Sequence, residues 1–482
     1  MDSRSMVKTL RLPLIEEIDT ELSPLEAFEC ILPSGKDERF SFFLDSGMDP
    51  DKLGRYSFIG CDPFLVLSTR GNEGMLTQGK AKARITGNPF DTLQRLLEIY
   101  RLDASPSPVP FVGGAVGYLS YDLCHFIECL PETTADDLKL PECYFGFYDL
   151  IIAFDNLEGK RYVISSGFPE LRESERIIRA AGRIAEIKTK LSDSCKKTPV
   201  TSVSSPAKPA AVLKSNFTRK RYVDTVAKAR QYIIDGEIIQ VNLSQRFEAD
   251  ISIPPWELYR RLRQINPAPF AAYLGFEGVS IVSASPERFL RLHGDAVETR
   301  PIKGTRPRGK TKMEDKALAA ELLSSTKDRA ENIMIVDLER NDLGRICLVG
   351  TIKVTELAAL ETFPTVFHLT STITGKLRED KNGIDLLKAT FPGGSITGAP
   401  KIRAMEIIDE LEPTKRSVYT GSIGYLGFNG DLDLNIAIRT FIVKEGRAYF
   451  QVGGGIVYDS DPEAEYQETL YKGQALIDAL KM

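Results

Sequence analysis

Four segments in the second half of the sequence carry more polar chemistry than a hydrophobic core needs. They are Ser285-Pro286-Glu287-Arg288-Phe289, residues 298–309, the acidic stretches 328–331 and 337–342, and the glycine-rich run 391–401 with the chain that follows it. Within the second segment, Lys303 stands between Pro301 and Gly304, with Arg300, Arg306 and Arg308 close by. An amine attacks carbon only when unprotonated, and a free lysine titrates at about 10.4. Bringing it to about 7 takes roughly 4–5 kcal/mol of destabilisation of the ammonium. Burial and neighbouring cations can both supply that. The same cation could equally anchor an anionic ligand, and the residue alone does not separate the two roles.

Asp328 and Glu331 are three apart, as are Glu465 and Glu468. On helices each pair shares a face. Two such helices could each give one carboxylate to a Mg²⁺ ion, or both could simply be solvated faces. The run Gly393-Gly394-Ser395-Ile396-Thr397-Gly398 resembles a phosphate cradle, but Ala399 and Pro400 stand where a nucleotide loop needs Lys and Ser or Thr. Pro400 reads instead as the first position of a helix 401–411, with Thr397 or Gly398 near its cap. That helix start and Gly453-Gly454-Gly455 offer N–H groups to an anion, a carboxylate as readily as a phosphate, or are only tight turns.

These residues need a scaffold. Over residues 1–191 the pattern alternates strands (39–44, 56–60, 64–69) with helices (25–31 after Ser23-Pro24, and 169–191), and Asn156-Leu157-Glu158-Gly159 reads as a hairpin turn. Residues 192–214 are a Pro/Ser-rich connector without apolar period. Residues 215–482 open with a capped helix 220–234 and continue with strands 237–249, 270–276 and 278–283. Asn429-Gly430 and Glu445-Gly446 predict two hairpins, and Asp461-Pro462 starts the last helix. The expected fold is α+β: a layered sandwich of mixed, largely antiparallel sheets covered by helices, in two intertwined lobes.

The 482 residues, 42% hydrophobic and 27% charged, suffice for a large core. A net charge of −5 lacks the basic footprint of a nucleic-acid binder. No apolar run reaches the ~20 residues that cross a bilayer. Residues 1–20 lack a signal-peptide core, and seven scattered cysteines suit a reducing compartment, so a cytoplasmic enzyme is expected. Cys124, His125, Cys129 and Cys143 lack the paired spacing of a zinc site.

The motifs also resemble a known family. From Asn216 to Lys481 the chain resembles the chorismate-binding domain shared by anthranilate, aminodeoxychorismate and isochorismate synthases. The N-terminal region, through Phe42-Phe43-Leu44-Asp45-Ser46 and Arg55-Tyr56-Ser57-Phe58-Ile59-Gly60, resembles that of the first two. Pro301-Ile302-Lys303-Gly304-Thr305 has lysine where anthranilate synthases typically have alanine. Gln240-Val241-Asn242-Leu243-Ser244-Gln245-Arg246, residues 391–401 and residues 433–440 likewise resemble the component I branch of aminodeoxychorismate synthases.

The resemblance implies that Lys303 adds to C2 of chorismate while Glu287 protonates the departing C4 hydroxyl. It implies Mg²⁺ on Glu331 and Glu468 with Asp328 and Glu465 beside them. Arg439, Tyr419 and the N–H groups of Gly453, Gly454 and Gly455 would hold the substrate carboxylates, and Thr299 and His368 would line the site with Thr305 in support. Ammonia would come from a glutamine amidotransferase partner. Ser46, Pro269 and Phe270 fall where relatives carry a tryptophan pocket, although Phe270-Ala271 replaces the Tyr-Met common in feedback-inhibited members.

Overall fold

Alternation along the strands decides how the layers stack. In Ser41–Asp45 the ring of Phe42 points into one hydrophobic cluster and that of Phe43 into another, both fully buried. The first cluster lies between two large sheets, joining Phe42, Phe58 and Ile281 of one to Val116, Phe145 and Tyr425 of the other. The second lies between the first sheet and the helices Pro24–Ile31, Glu173–Ser194, Pro255–Ile265 and Pro462–Lys481. Each fully buried phenylalanine stabilises the stack by about 1.5–3 kcal/mol. The computed structural model describes residues 11–32, 40–103, 106–194, 212–363 and 366–482; most of the connector 192–214 lies outside them.

Among the described residues each sheet has 12 strands, and every pairing between named strands is antiparallel. The expected sandwich of sheets and covering helices is therefore the one the chain adopts, antiparallel throughout rather than mixed. Both sheets take strands from both sides of the connector. In the first, Ser41–Asp45 pairs with Phe270–Phe276 (Tyr273 opposite Phe43); in the second, Gly114–Leu119 pairs with Ser422–Gly427 (Gly424 opposite Gly117).

Local signals place the element ends. Ser23 closes a capping box with Glu26, and Asp461 accepts from Ala464 N–H at 2.8 Å to start the last helix with Pro462. The helix expected over 169–191 runs from Glu173 to Ser194. The hairpins at Asn429-Gly430 and Glu445-Gly446 both form. Pro400 caps Lys401–Leu411 in an extended conformation instead of occupying its first turn. Among the described residues, no helix is long and apolar enough to cross a membrane.

Candidate active site

The chain crosses between the sheets at two places in the site. Val279–Ser285 belongs to the first sheet and Arg288–His293 to the second, and Glu287 lies on the step between them. Leu432–Ile436 returns from the second sheet to Thr440–Lys444 of the first, and Arg439 lies on that step. The crossings are laced together: Ser285 Oγ donates to the Ile436 carbonyl at 2.6 Å, and Ile436 N–H donates to the Glu287 carbonyl at 3.0 Å. Arg439 holds φ at +52°, a left-handed conformation that costs a non-glycine residue energy and is found where function fixes the backbone.

Glu287 is 3% exposed. Its Oε1 accepts from Ser395 Oγ at 2.5 Å and from Ile302 N–H at 3.4 Å. Burial pushes its carboxyl up to about 7, against the Ser395 hydrogen bond and the charges of Lys303 and Arg439. It can therefore hold or release a proton near neutrality, as a general acid must. The Arg439 guanidinium is brought down to about 10 by burial. No carboxylate pairs with it among the described residues; its Nη2 lies 3.3 Å from Nε2 of His368. An arginine only donates, so Nε2 accepts and the His368 proton sits on Nδ1, 2.9 Å from Thr305 Oγ1. Burial first, then the Arg439 charge, depress the imidazole well below its ordinary value and keep it neutral.

Lys303 owes its position to a β-bulge. Ile302 faces Thr370 and Thr305 faces His368, so Lys303 and Gly304 together oppose Leu369 alone, and Gly304 takes φ +85° to absorb the extra residue. Burial lowers the Lys303 ammonium, the nearby Lys472 cation adds to the effect, and the charges of Glu331, Glu287 and Glu468 oppose it. The three arginines near it in sequence are not its companions. Arg300 pairs with Glu361 at 2.5 Å, Arg306 with Glu321 at 2.8 Å and Asp328 at 3.0 Å, and Arg308 with Asp315 at 2.7 Å. The cation that acts on Lys303 comes instead from the C-terminal helix.

The two acidic pairs lie on the helices Thr326–Gly344 and Pro462–Lys481, and Glu331 and Glu468 are near enough to feel each other's charge. Burial raises Glu331, Lys303 and Lys327 oppose it, and the charges of Asp328 and Glu468 raise it further. Glu465 Oε1 accepts from Ser460 at 2.6 Å, while its Oε2 is buried without a hydrogen-bond partner. Glu468, 48% exposed, is held below the ordinary carboxylate range by Lys472 at 2.6 Å, which also donates to the Gly453 carbonyl at 3.1 Å. Asp328 is committed to Arg306.

A Cβ on Gly454 would lie 3.0 Å from Glu465 Oε2 and 3.4 Å from Glu468 Oε1, so this glycine keeps open the space in front of both acids. Gly453 and Gly455 are excluded from larger residues by the Leu243 carbonyl and the Gln240 amide, each 2.3 Å from the missing Cβ. Beyond Phe441 opposite Phe450, the ladder with Thr440–Lys444 ends, so residues 451–456 have a strand on one edge only. Among the described residues, no three His, Cys, Asp or Glu side chains converge on a metal position.

Thr299 is buried opposite Ile373. Tyr419 packs against Arg416, 5.8 Å from ring centre to guanidinium, and among the described residues no hydrogen bond or ion pair ties it to Lys303, Glu287 or Arg439. The backbone of the glycine-rich run does bind an acid, but an internal one: Gly394 N–H donates to Glu339 Oε1 at 3.0 Å. Sequence reasoning passed over three members of this region. Lys472 was readable as the i+4 partner of Glu468. Ser395 and Gln240, whose buried amide has no partner at either atom among the described residues, stood inside the runs 391–401 and 240–246, but nothing in the sequence set them apart from their neighbours.

Ser46, Pro269 and Phe270 line one open pocket with Asp45, Tyr56 and Asn435. The Ser46 hydroxyl donates to the Tyr56 carbonyl at 2.7 Å, and the Arg288 guanidinium covers the Phe270 ring at 4.8 Å.

Residues 44–478 match the family model described as chorismate binding enzyme. The chain is 42% identical over 468 residues to anthranilate synthase component 1 of Acetivibrio thermocellus, covering 96% of this chain and 93% of that one. It is 41% identical over 445 residues to aminodeoxychorismate synthase component 1 of Escherichia coli, covering 92% and 93%. The solved anthranilate synthase component I from Streptococcus pneumoniae superposes with a TM-score of 0.78 at 34% identity, covering 95% of this chain and 97% of that one. With the family model matched over residues 44–478 and a relative aligned over 96% of this chain's length, the chain belongs to the chorismate-binding enzyme family.

Proposed function

We propose that this chain is the chorismate-aminating component of an aminodeoxychorismate synthase, acting in the cytoplasm in the supply of p-aminobenzoate for folate. The observation that carries the reading is Lys303, set in a bulge with its ammonium destabilised by burial and by Lys472, across from the buried acid Glu287. Lys303 Nζ adds to C2 of chorismate, both ring double bonds shift one position round the ring, and the C4–O bond breaks as Glu287 gives its proton to the departing hydroxyl, which leaves as water. Ammonia then adds at C4, both double bonds shift back, and the C2–N bond breaks with its electrons returning to Lys303. Arg439, with neutral His368 and Thr305 behind it, suits one carboxylate of the dianionic substrate, and the open edge at Gly453, Gly454 and Gly455 the other.

Glu331 and Glu468 would hold Mg²⁺, with Asp328 and Glu465 beside them. The unpartnered Glu465 Oε2 and the space kept by Gly454 support that fit, because Mg²⁺ takes one or two carboxylates from protein and the rest of its oxygens from substrate and water. The ion would neutralise the ring carboxylate. A glutamine amidotransferase partner would supply the ammonia, and a tryptophan-sized ligand at the Ser46 cavity belongs to the same proposal.

The second reading is anthranilate synthase component I, favoured by relatives of that name at 42% identity. The third, a chorismate sensor without turnover, leaves Lys303 and Glu287 without a task. Incubation with chorismate, Mg²⁺ and an ammonium salt at alkaline pH tests all three. 4-Amino-4-deoxychorismate as the main product is expected; fluorescent anthranilate would establish the second reading, and binding without consumption the third.

A further inference from the structure

Beneath Glu287 lies a segment that no step above uses. Residues 392–397 pass under the acid with each of their backbone carbonyls accepting a hydrogen bond. Lys401 Nζ donates to the Thr390 and Pro392 carbonyls at 3.0 and 2.9 Å, and it also pairs with Asp342. Gly394 N–H is held by Glu339 at 3.0 Å. Asn242 Nδ2 donates to the Ser395 carbonyl at 3.3 Å and to the Thr397 carbonyl at 3.2 Å. Arg416, itself buried and paired with Glu412 at 2.7 Å, donates to the Ile396 carbonyl at 3.0 Å. Thr397 Oγ1 turns back onto the Gly393 carbonyl at 3.0 Å. Four side chains from outside, on two helices, a strand and the turn at Arg416, thus fix a six-residue segment of which Ser395 alone hydrogen-bonds to the acid.

The direction of that contact matters. Ser395 Oγ at 2.5 Å and Ile302 N–H at 3.4 Å both converge on Oε1 of Glu287, and Oε2 accepts no hydrogen bond among the described residues. A carboxyl with one oxygen saturated by donors keeps its proton on the other.

We propose that Ser395 is a positioning residue for the general acid: its hydroxyl clamps Oε1, so that Oε2 presents the proton to the leaving hydroxyl, and the Glu339–Asp342–Lys401 cluster sets the height of the clamp. The proposal rests on Glu287 being the acid, but not on which aminated product forms. The charged groups facing Glu287 are Lys303 and Arg439, with Glu339 beneath the segment. The Ser395 hydrogen bond favours the carboxylate, so its loss raises the pH at which Glu287 gives up its proton.

Chorismate consumption in the Ser395→Ala chain, followed against pH with Mg²⁺ and ammonium present, tests the clamp, while chromatography identifies the product independently. The expected result is a kcat about 10- to 100-fold lower with KM within about twofold. The alkaline limb of kcat should move up by about one pH unit. Ser395→Thr, which keeps the donor, should retain the original limb. If the alanine chain unfolds, Ser395→Cys, with a weaker donor, should give a smaller shift in the same direction. A folded variant with unchanged kcat, or with lower kcat and an unmoved limb, overturns the proposal. A change of product identity would bear on the proposed function and leave the clamp as it stands.

Discussion

Glu287 and Lys303 need opposite protonation states near the same pH, and their surroundings push the two groups towards each other. Burial raises the carboxyl to about 7 and lowers the ammonium. An acid must be protonated to act, so the contribution of Glu287 is present below about 7 and lost as pH rises through that value. Lys303 must be neutral, so its contribution grows as pH rises. The product of the two is a bell-shaped profile for kcat. In Glu287→Gln, kcat should fall by about 10²–10⁴-fold and the alkaline descent should disappear, as read from chorismate consumption across pH. A descent that persists in the variant would place the acid elsewhere. In the sequence, Lys303 was recognisable as unusual, but its sources of destabilisation were not. Arg300, Arg306 and Arg308 stood nearest along the chain, yet each is neutralised by its own carboxylate. Lys472 lies 169 positions further on and acts because the C-terminal helix folds back over the site.

Two elements do most of the placing, and each can be tested alone. The bulge at Lys303 needs a left-handed residue at 304, where a Cβ would also come within 3.0 Å of Asp328 Cβ. Gly304→Ala should cost about 1–2 kcal/mol, measured by denaturant unfolding, and should lower kcat more than it raises KM, since it re-aims the nucleophile. The helix Thr326–Gly344 carries Glu331 near its start and Glu339 and Asp342 near its end, so one rigid element serves both the acids of the site and the segment under Glu287.

Glu339 is pushed from an ordinary 4.5 up to about 7, by burial and then by the Asp342 charge. The fold therefore keeps its proton while the unfolded chain has released it. This stabilisation is complete below about 4.5 and is lost as pH rises to about 7. Glu339→Gln, which stays neutral, should show a shallower fall in melting temperature between about pH 5 and about pH 8 than the parent chain. An equally steep fall would mean that Glu339 is ionised in the fold. Caps, hairpin turns and helix faces were legible because they are written in neighbouring residues, as at Asp461-Pro462 and Asn429-Gly430. The bulge was not, because it exists only in register against Val366–Lys376.

At the scale of the molecule, the connector divides the sequence more sharply than it divides the fold. Each sheet has one seam between strands from the two halves, Ser41–Asp45 with Phe270–Phe276 and Gly114–Leu119 with Ser422–Gly427. Either half alone would leave two long apolar strands with unpaired edges. Residues 1–191 and 215–482 expressed separately should therefore lack a cooperative thermal transition, whereas the two co-expressed should regain one. A cooperative transition in either half by itself would show that the seams are not needed. The layered α+β class was readable from the strand and helix patterns. The seams were not, because pairing between residues more than 200 positions apart is set by packing of whole faces. The same folding back brings Glu287, Lys303, Arg439 and Lys472 within reach of one another's charge, where Lys303 is proposed to bond to the substrate. Intact-mass and peptide mass spectrometry of the chain incubated with chorismate and Mg²⁺, without ammonia, tests that bond most directly. The account predicts an adduct of one chorismate less one water, mapped to the peptide containing Lys303 and absent from Lys303→Ala. Amination of chorismate at C4 at an undiminished rate by Lys303→Ala, with no adduct on the parent chain, would contradict it.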